Sequence, residues 1–157
     1  MQGIAKAVLV AVIVSVCMLL FVNLAFFFPW YSILIIETFN LSQVAANDNY
    51  VKQSYYYDAW YNLSSRPIYR DKADKIEIIV ENSDNESAIG YDYELFYEDA
   101  PDWEKPYRQR GEPIRVCIKA VYPLTVTLWG RKYEIELPVS FSITTIGLRY
   151  YKDLPSY

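Results

Sequence analysis

The 157-residue sequence predicts an α+β fold: a long N-terminal helix packed on a small antiparallel β-sheet of about four strands. Three observations predict it. Ala7 to Phe28 is an apolar run without a single charge. Helix-compatible patterning then continues past Pro29 to about Leu63, and from Lys75 onward the hydrophobic period changes to two.

The apolar run is long enough for a bilayer, whose hydrocarbon core takes about 20 apolar residues. It exceeds the ~7–15-residue apolar stretch of a secretory signal and is read as retained. Lys6 precedes it and Glu37 and Asp48 are the first charges after it, which favours an N-in, C-out orientation. Trp30 and Tyr31 suit the far interface, where an amphipathic ring sits between lipid and water. Gly3, Ala7, Ala11 and Ser15 recur every fourth residue, a small-residue ladder that lets helices approach closely in lipid.

Pro29 lacks an N–H and is expected to kink or locally melt the helix. Beyond it, at about 100° per residue, Leu34, Leu41, Ala45, Tyr56, Ala59 and Leu63 share one face. Ile36, Phe39, Ala46, Tyr50, Tyr57 and Tyr61 share the opposite one. A helix packed only on its own domain needs one apolar stripe, so the second is free to meet another chain; the alternative is an ectodomain that wraps the helix. Pro67 ends the helix. The sequence thus divides into residues 1–29, a membrane-spanning or filament-core helix; 30–66, its amphipathic continuation; and 67–157, a β-sheet domain.

In that last part Ile76, Ile78 and Val80 alternate with charged residues as a first strand, and Tyr91, Tyr93, Leu95 and Tyr97 as a second. Glu81 to Glu86 is a polar turn, and Ala100 to Pro113 a surface loop. Gly130-Arg131 suits a two-residue hairpin turn. Folding there pairs Leu128 with Tyr133, Val126 with Ile135 and Leu124 with Leu137, and sets Pro123 opposite Pro138, where a bend or gap is expected. The apolar face of this hairpin is expected to cover the C-terminal half of the long helix.

The composition excludes several functions. A net charge of -4 with scattered Lys and Arg argues against nucleic acid. The absence of histidine removes His-based catalysis and the usual zinc and haem ligand sets, and Cys17 and Cys117 stand too far apart in environment to bridge. Glu134/Glu136 and the acidic residues at 98–104 lack a visible cleft, and the Glu81–Glu86 oxygens lack the spacing of a calcium loop. The sequence therefore predicts neither an enzyme nor a cofactor or metal site.

An apolar N-terminal helix with a proline near its middle, an amphipathic continuation through Leu63 and a closing hairpin from Ile114 to Tyr150 resemble the type IV pilin-like subunits, closest to the TadE-like minor pilins of tight-adherence systems. The family's glutamate near the start of the mature helix has no counterpart, since Ala5 stands at the fifth position and Glu37 is the first glutamate. The resemblance implies a structural subunit of an extracellular filament, a bacterial fimbrium of the cell surface. Such a subunit resides in the inner membrane before assembly and then bundles with copies of itself through its helix, the β-domain outward. Other pilin-like subunits and a secretion or assembly machine are the further partners implied, and cell adhesion the broader role. The helix-packing residues expected on this reading are Gly3, Ala7, Ala11, Ser15, Pro29, Ile36, Phe39, Ala46, Tyr50, Tyr57 and Tyr61. The alternative is a single-pass anchored ectodomain whose tyrosines bind a ligand or partner.

Overall fold

The computed structural model describes residues 2–128 and 130–155. Helix α1 (Gln2–Asp48) has 47 residues and passes through Pro29 without interruption. At 1.5 Å per residue it is about 70 Å long.

The helix does not continue to Leu63. It stops because Asn49 takes a left-handed conformation, φ 60°, which asparagine tolerates better than most residues. The buried Asn49 side chain then serves three backbone groups. Its Nδ2 donates to the carbonyls of Arg108 at 2.9 Å and Arg149 at 2.7 Å, and its Oδ1 accepts the Arg149 N–H at 2.9 Å. Those long-range bonds outweigh one more helical turn. Strand β1 (Val51–Lys52) reverses the chain, and α2 (Gln53–Ser64) runs back along α1. Arg66 ends up 3.7 Å from Glu37, and past the short α3 (Pro67–Arg70) the end of the return is pinned where the Tyr69 hydroxyl donates to the Trp30 carbonyl at 2.5 Å.

The main sheet has three antiparallel strands in the order β2 (Glu77–Glu81), β4 (Pro113–Leu128), β5 (Arg131–Ile146). A separate parallel pair joins β1 to β3 (Ile89–Gly90). The strand expected over Tyr91–Tyr97 is replaced by a 3₁₀ turn at Glu94–Tyr97. The Tyr97 hydroxyl accepts the Tyr91 N–H at 2.8 Å, curling the segment on itself instead of leaving it to a ladder. Gly90 is required there, because a Cβ would lie 2.5 Å from Pro106 Cγ.

The β4–β5 hairpin turns one residue earlier than expected. Leu128 pairs with Arg131, Val126 with Tyr133 and Leu124 with Ile135, and Gly130 has φ 77°. A shift of two in register preserves the alternation of faces, so the apolar side stays the apolar side. The prolines are not opposed: Pro123 faces Glu136 and Pro138 faces Val121, and pairing runs through both. Both lie beyond the part of β4 that β2 covers, Arg115 to Lys119, where each strand has one open edge that needs no donor.

Cross-strand rows Val80–Val116–Ile143 and Ile78–Ile118–Phe141 run across the sheet. Val80, Val116, Ile78 and Ile118 join Leu34, Leu41, Ala45, Ala59 and Leu63 in one buried cluster. Trp30 belongs to it too, only 1% exposed, and does not sit at an interface as its position suggested. Its ring stacks on Tyr69 at 4.9 Å and meets Tyr122 edge-on at 5.2 Å, with Phe27 stacked on its flank at 6.0 Å. The Tyr122 hydroxyl donates to the Asn23 carbonyl at 3.1 Å, which ties the hairpin to the helix at that level.

The lock at the helix end gives a test. A Cβ on Gly147 would lie 2.6 Å from Asn49 Cγ. Asn49→Ala strips three partly buried hydrogen bonds and leaves the Arg108 and Arg149 carbonyls without that partner. It should cost about 3 kcal/mol, read as a lowered denaturation midpoint of the full chain in detergent, and Gly147→Ala should act in the same direction. Midpoints equal to that of the natural chain would show that the lock does not hold the fold.

Candidate functional site

The surface set apart by chemistry is the N-terminal part of α1. One helix of the described residues is long and apolar enough to cross a membrane, and its most apolar window has no buried residue. Val8, Ile13, Leu20 and Phe21 are all more than half exposed. The polar groups on this stretch are turned inward to the helix. Ser15 Oγ donates to the Ala11 carbonyl at 2.8 Å and Asn23 Nδ2 to the Leu19 carbonyl at 2.9 Å, which removes their demand for water.

The ladder residues Gly3, Ala7, Ala11 and Ser15 are all exposed, and a Cβ on Gly3 would meet nothing within 4 Å. Pro29 is exposed as well. The expected second stripe divides. Ile36, Phe39, Tyr57 and Tyr61 remain outward, from 52% to 66% exposed, whereas Ala46 and Tyr50 turn into the core. Tyr50 turns inward just after the break at Asn49, and Ala46 is covered near the helix end, where its carbonyl accepts the Leu148 N–H at 2.8 Å. Tyr50 is fully buried, its hydroxyl donating to the Tyr91 carbonyl at 3.1 Å, and burial raises its pKa.

Sequence reasoning missed a groove of about 510 Å³ between α1 and the hairpin, lined by Cys17, Leu20, Leu24, Tyr122, Leu124 and Leu137. It forms because the hairpin outruns β2 and continues beside the apolar helix. The signal was the length of the alternating segments on either side of Gly130. An ionic brace holds the hairpin from the outside. Lys72 Nζ lies 2.7 Å from both Glu134 Oε1 and Glu136 Oε1, and Lys75 also pairs with Glu136.

The end of the domain farthest from the N-terminus is polar and aromatic. Tyr107 and Tyr151 stack at 4.0 Å, the Tyr107 hydroxyl donates to Asp153 at 2.8 Å, and the buried Lys105 reaches Asp153 at 3.0 Å. Burial raises the pKa of both tyrosines, so they serve as neutral donors. Arg149 pairs with Glu94 and lies over the Tyr151 ring. These groups are mutually satisfied and tie the tail to the helix end. Cys17 is exposed and Cys117 buried, both as free thiols. No protein-family model matches the chain, and neither a curated protein nor a solved structure shows significant similarity to it.

The brace sets a pH dependence. Hydrogen bonds from Lys72 and then Lys75 hold the Glu136 carboxyl down to about 2 from 4.5, and those of Lys72 lower Glu134 as well. A carboxylate favoured in the folded state contributes fully above its ordinary pKa and is lost as pH falls from there through the folded one. Between pH 4.5 and about 2, amide exchange across Arg131–Leu137, corrected for intrinsic rates, should rise while exchange in β2 stays slow. A flat profile over that window would show that the pairs do not restrain the hairpin.

Proposed function

We propose that the protein is a pilin-like structural subunit of an extracellular filament. Its N-terminal helix holds it in the membrane, N-in and C-out, until assembly, and then bundles with the helices of neighbouring copies while the β-domain faces outward. The observation that carries this reading is the apolar length of α1 ahead of Asn23, whose most apolar window has no buried residue. About 20 residues at 1.5 Å each make some 30 Å, the thickness of one hydrocarbon core, and the hairpin flanks their last part across the groove at Cys17 and Leu20. Side chains apolar on every side of a helix require either lipid or other helices.

Two further features support a change from lipid to helices. The exposed small-residue ladder offers close backbone approach, and the groove beside Leu20 and Leu24 offers an apolar seat for a neighbour's helix. Ile36, Phe39, Tyr57 and Tyr61 extend the apolar contact past the membrane segment. The role is structural rather than catalytic. Other pilin-like subunits and an assembly machine are the partners such a subunit uses.

The bilayer-length projection also suits a second reading, a single-pass anchored ectodomain that binds a partner and stays in the membrane. Shearing separates the two. In cells expressing the chain with Cys17→Ser and Ala11→Cys, filaments released by shear should carry crosslinks between copies. Ala7→Leu with Ala11→Leu should reduce the sheared material about tenfold while leaving the membrane-bound pool unchanged. Chain recovered only as uncrosslinked, detergent-soluble monomer would refute the filament and favour the anchored module.

A further inference from the structure

Asn40, Asn62 and Asn85 each have a serine two places on, with a residue other than proline between. Asn-x-Ser is the acceptor signal for N-linked sugar. All three asparagines are exposed, and all three follow the membrane segment, on the side of the chain read as outside. Asn49 and Asn82, the asparagines buried in the domain, lack that serine and use their side chains on backbone groups.

The fold separates the three signals. A transferase must reach the asparagine, the middle residue and the serine together, and a helix points positions i and i+2 to different sides. Asn40 stands inside α1, where the middle residue Leu41 is buried and the buried Ser42 donates its hydroxyl to the Phe39 carbonyl at 2.7 Å. Asn62 stands in α2, where the middle residue Leu63 is buried as well. Binding either signal means unwinding a helix from the core. Asn85, Glu86 and Ser87, by contrast, are all exposed in the turn that follows β2. The Asn82 carboxamide oxygen accepts the N–H groups of Asp84 and Glu86 at 2.9 and 3.0 Å, Arg108 pairs with both of their carboxylates, and Asn85 takes a left-handed φ of 61°. Asp84 and Glu86, on either side of Asn85, line a groove of about 370 Å³ shared with Trp103, whose side chain is 70% exposed. An exposed indole face takes the C–H face of a pyranose, and carboxylates accept from its hydroxyls. The turn lies at the end of the sheet away from the membrane segment, because β4 runs towards that segment, with Tyr122 at Asn23, and β2 runs antiparallel to β4.

We propose that Asn85 is an N-glycosylation site and that Asn40 and Asn62 are not. The site rests on the C-out orientation, which the filament and the anchored module share. The donor is a lipid-linked oligosaccharide phosphate presented at the outer face of the membrane. Asn85 Nδ2 forms a bond to the anomeric carbon of the sugar and gives up one proton. The bond from that carbon to the phosphate oxygen breaks, and the lipid phosphate leaves with the electron pair.

Peptide mass spectrometry on the full chain, recovered from its native cells, tests the site. The peptide that carries Asn85 should be heavier than its sequence by whole sugar residues, and those carrying Asn40 and Asn62 should have their sequence masses. Asn85→Gln and Ser87→Ala should each abolish the increment, whereas Ser87→Thr should keep it, because threonine also serves the signal. Ser87→Ala leaves the left-handed residue in place, and protease resistance of the domain checks that each variant is folded. An unmodified Asn85, an increment that survives Ser87→Ala, or sugar on Asn40 or Asn62 would overturn the assignment. A membrane-impermeant maleimide on whole cells carrying Cys17→Ser and Asp99→Cys reads the orientation separately. Labelling without sugar on Asn85 would overturn the site and leave the C-out reading standing; neither labelling nor sugar would overturn both.

Discussion

One helix passes through two environments, and the aromatic junction around Trp30 is where it changes from one to the other. Ahead of Asn23 the side chains are largely exposed, with only the open groove of the hairpin beside Cys17 and Leu20. From Phe27 onward one side of the helix is enclosed by Tyr122, Tyr69 and the sheet. Stacked and edge-on rings give the junction a defined geometry, each such pair adding about 1 kcal/mol beyond its buried area. The level at which the domain grips the helix therefore fixes how much helix is left to project, and that length determines what α1 can do.

The rest of the fold serves that grip. Asn49 ends the helix by serving backbone groups of two distant loops, and this reversal lays α2 back along α1 so that Ala59 and Leu63 complete the covering of Leu41 and Ala45. The sheet covers another side of the helix. Its hairpin outgrows the covering task, and the part beyond β2 is kept alongside the helix by Lys72 and Lys75 on its polar face.

Periodicity made the helix, the first strand and the faces of the hairpin legible, because burial on one side leaves a pattern in the residues themselves. The stop at Asp48 was less legible: a projection at constant angle passes through a break unnoticed, and only the run Asn47-Asp48-Asn49 hinted at a left-handed residue. The alternation in Tyr91–Tyr97 misled for a related reason. Alternation reports a half-buried ribbon only where a partner strand exists, and here the Tyr97 hydroxyl supplies the bond a partner would have made. Of the surface residues, Ile36, Phe39, Tyr57 and Tyr61 were found by their pattern. Trp30, assigned to a lipid interface by its residue type, lies in the core because Tyr69 and Tyr122 arrive from far along the chain.

That distance has a consequence for how the protein is made. The bond between Asn49 and Arg149 joins residues 100 apart, and Trp30 is not enclosed until Tyr122 has emerged. At roughly 5–20 residues per second of synthesis, the middle of α1 is without its cover for about 5–20 s. Throughout that interval the chain offers an apolar helix whose own sheet does not yet exist. A cell making this protein must shelter it for that long, and the first half of the helix, long and apolar enough to cross a membrane, is as uncovered as the middle.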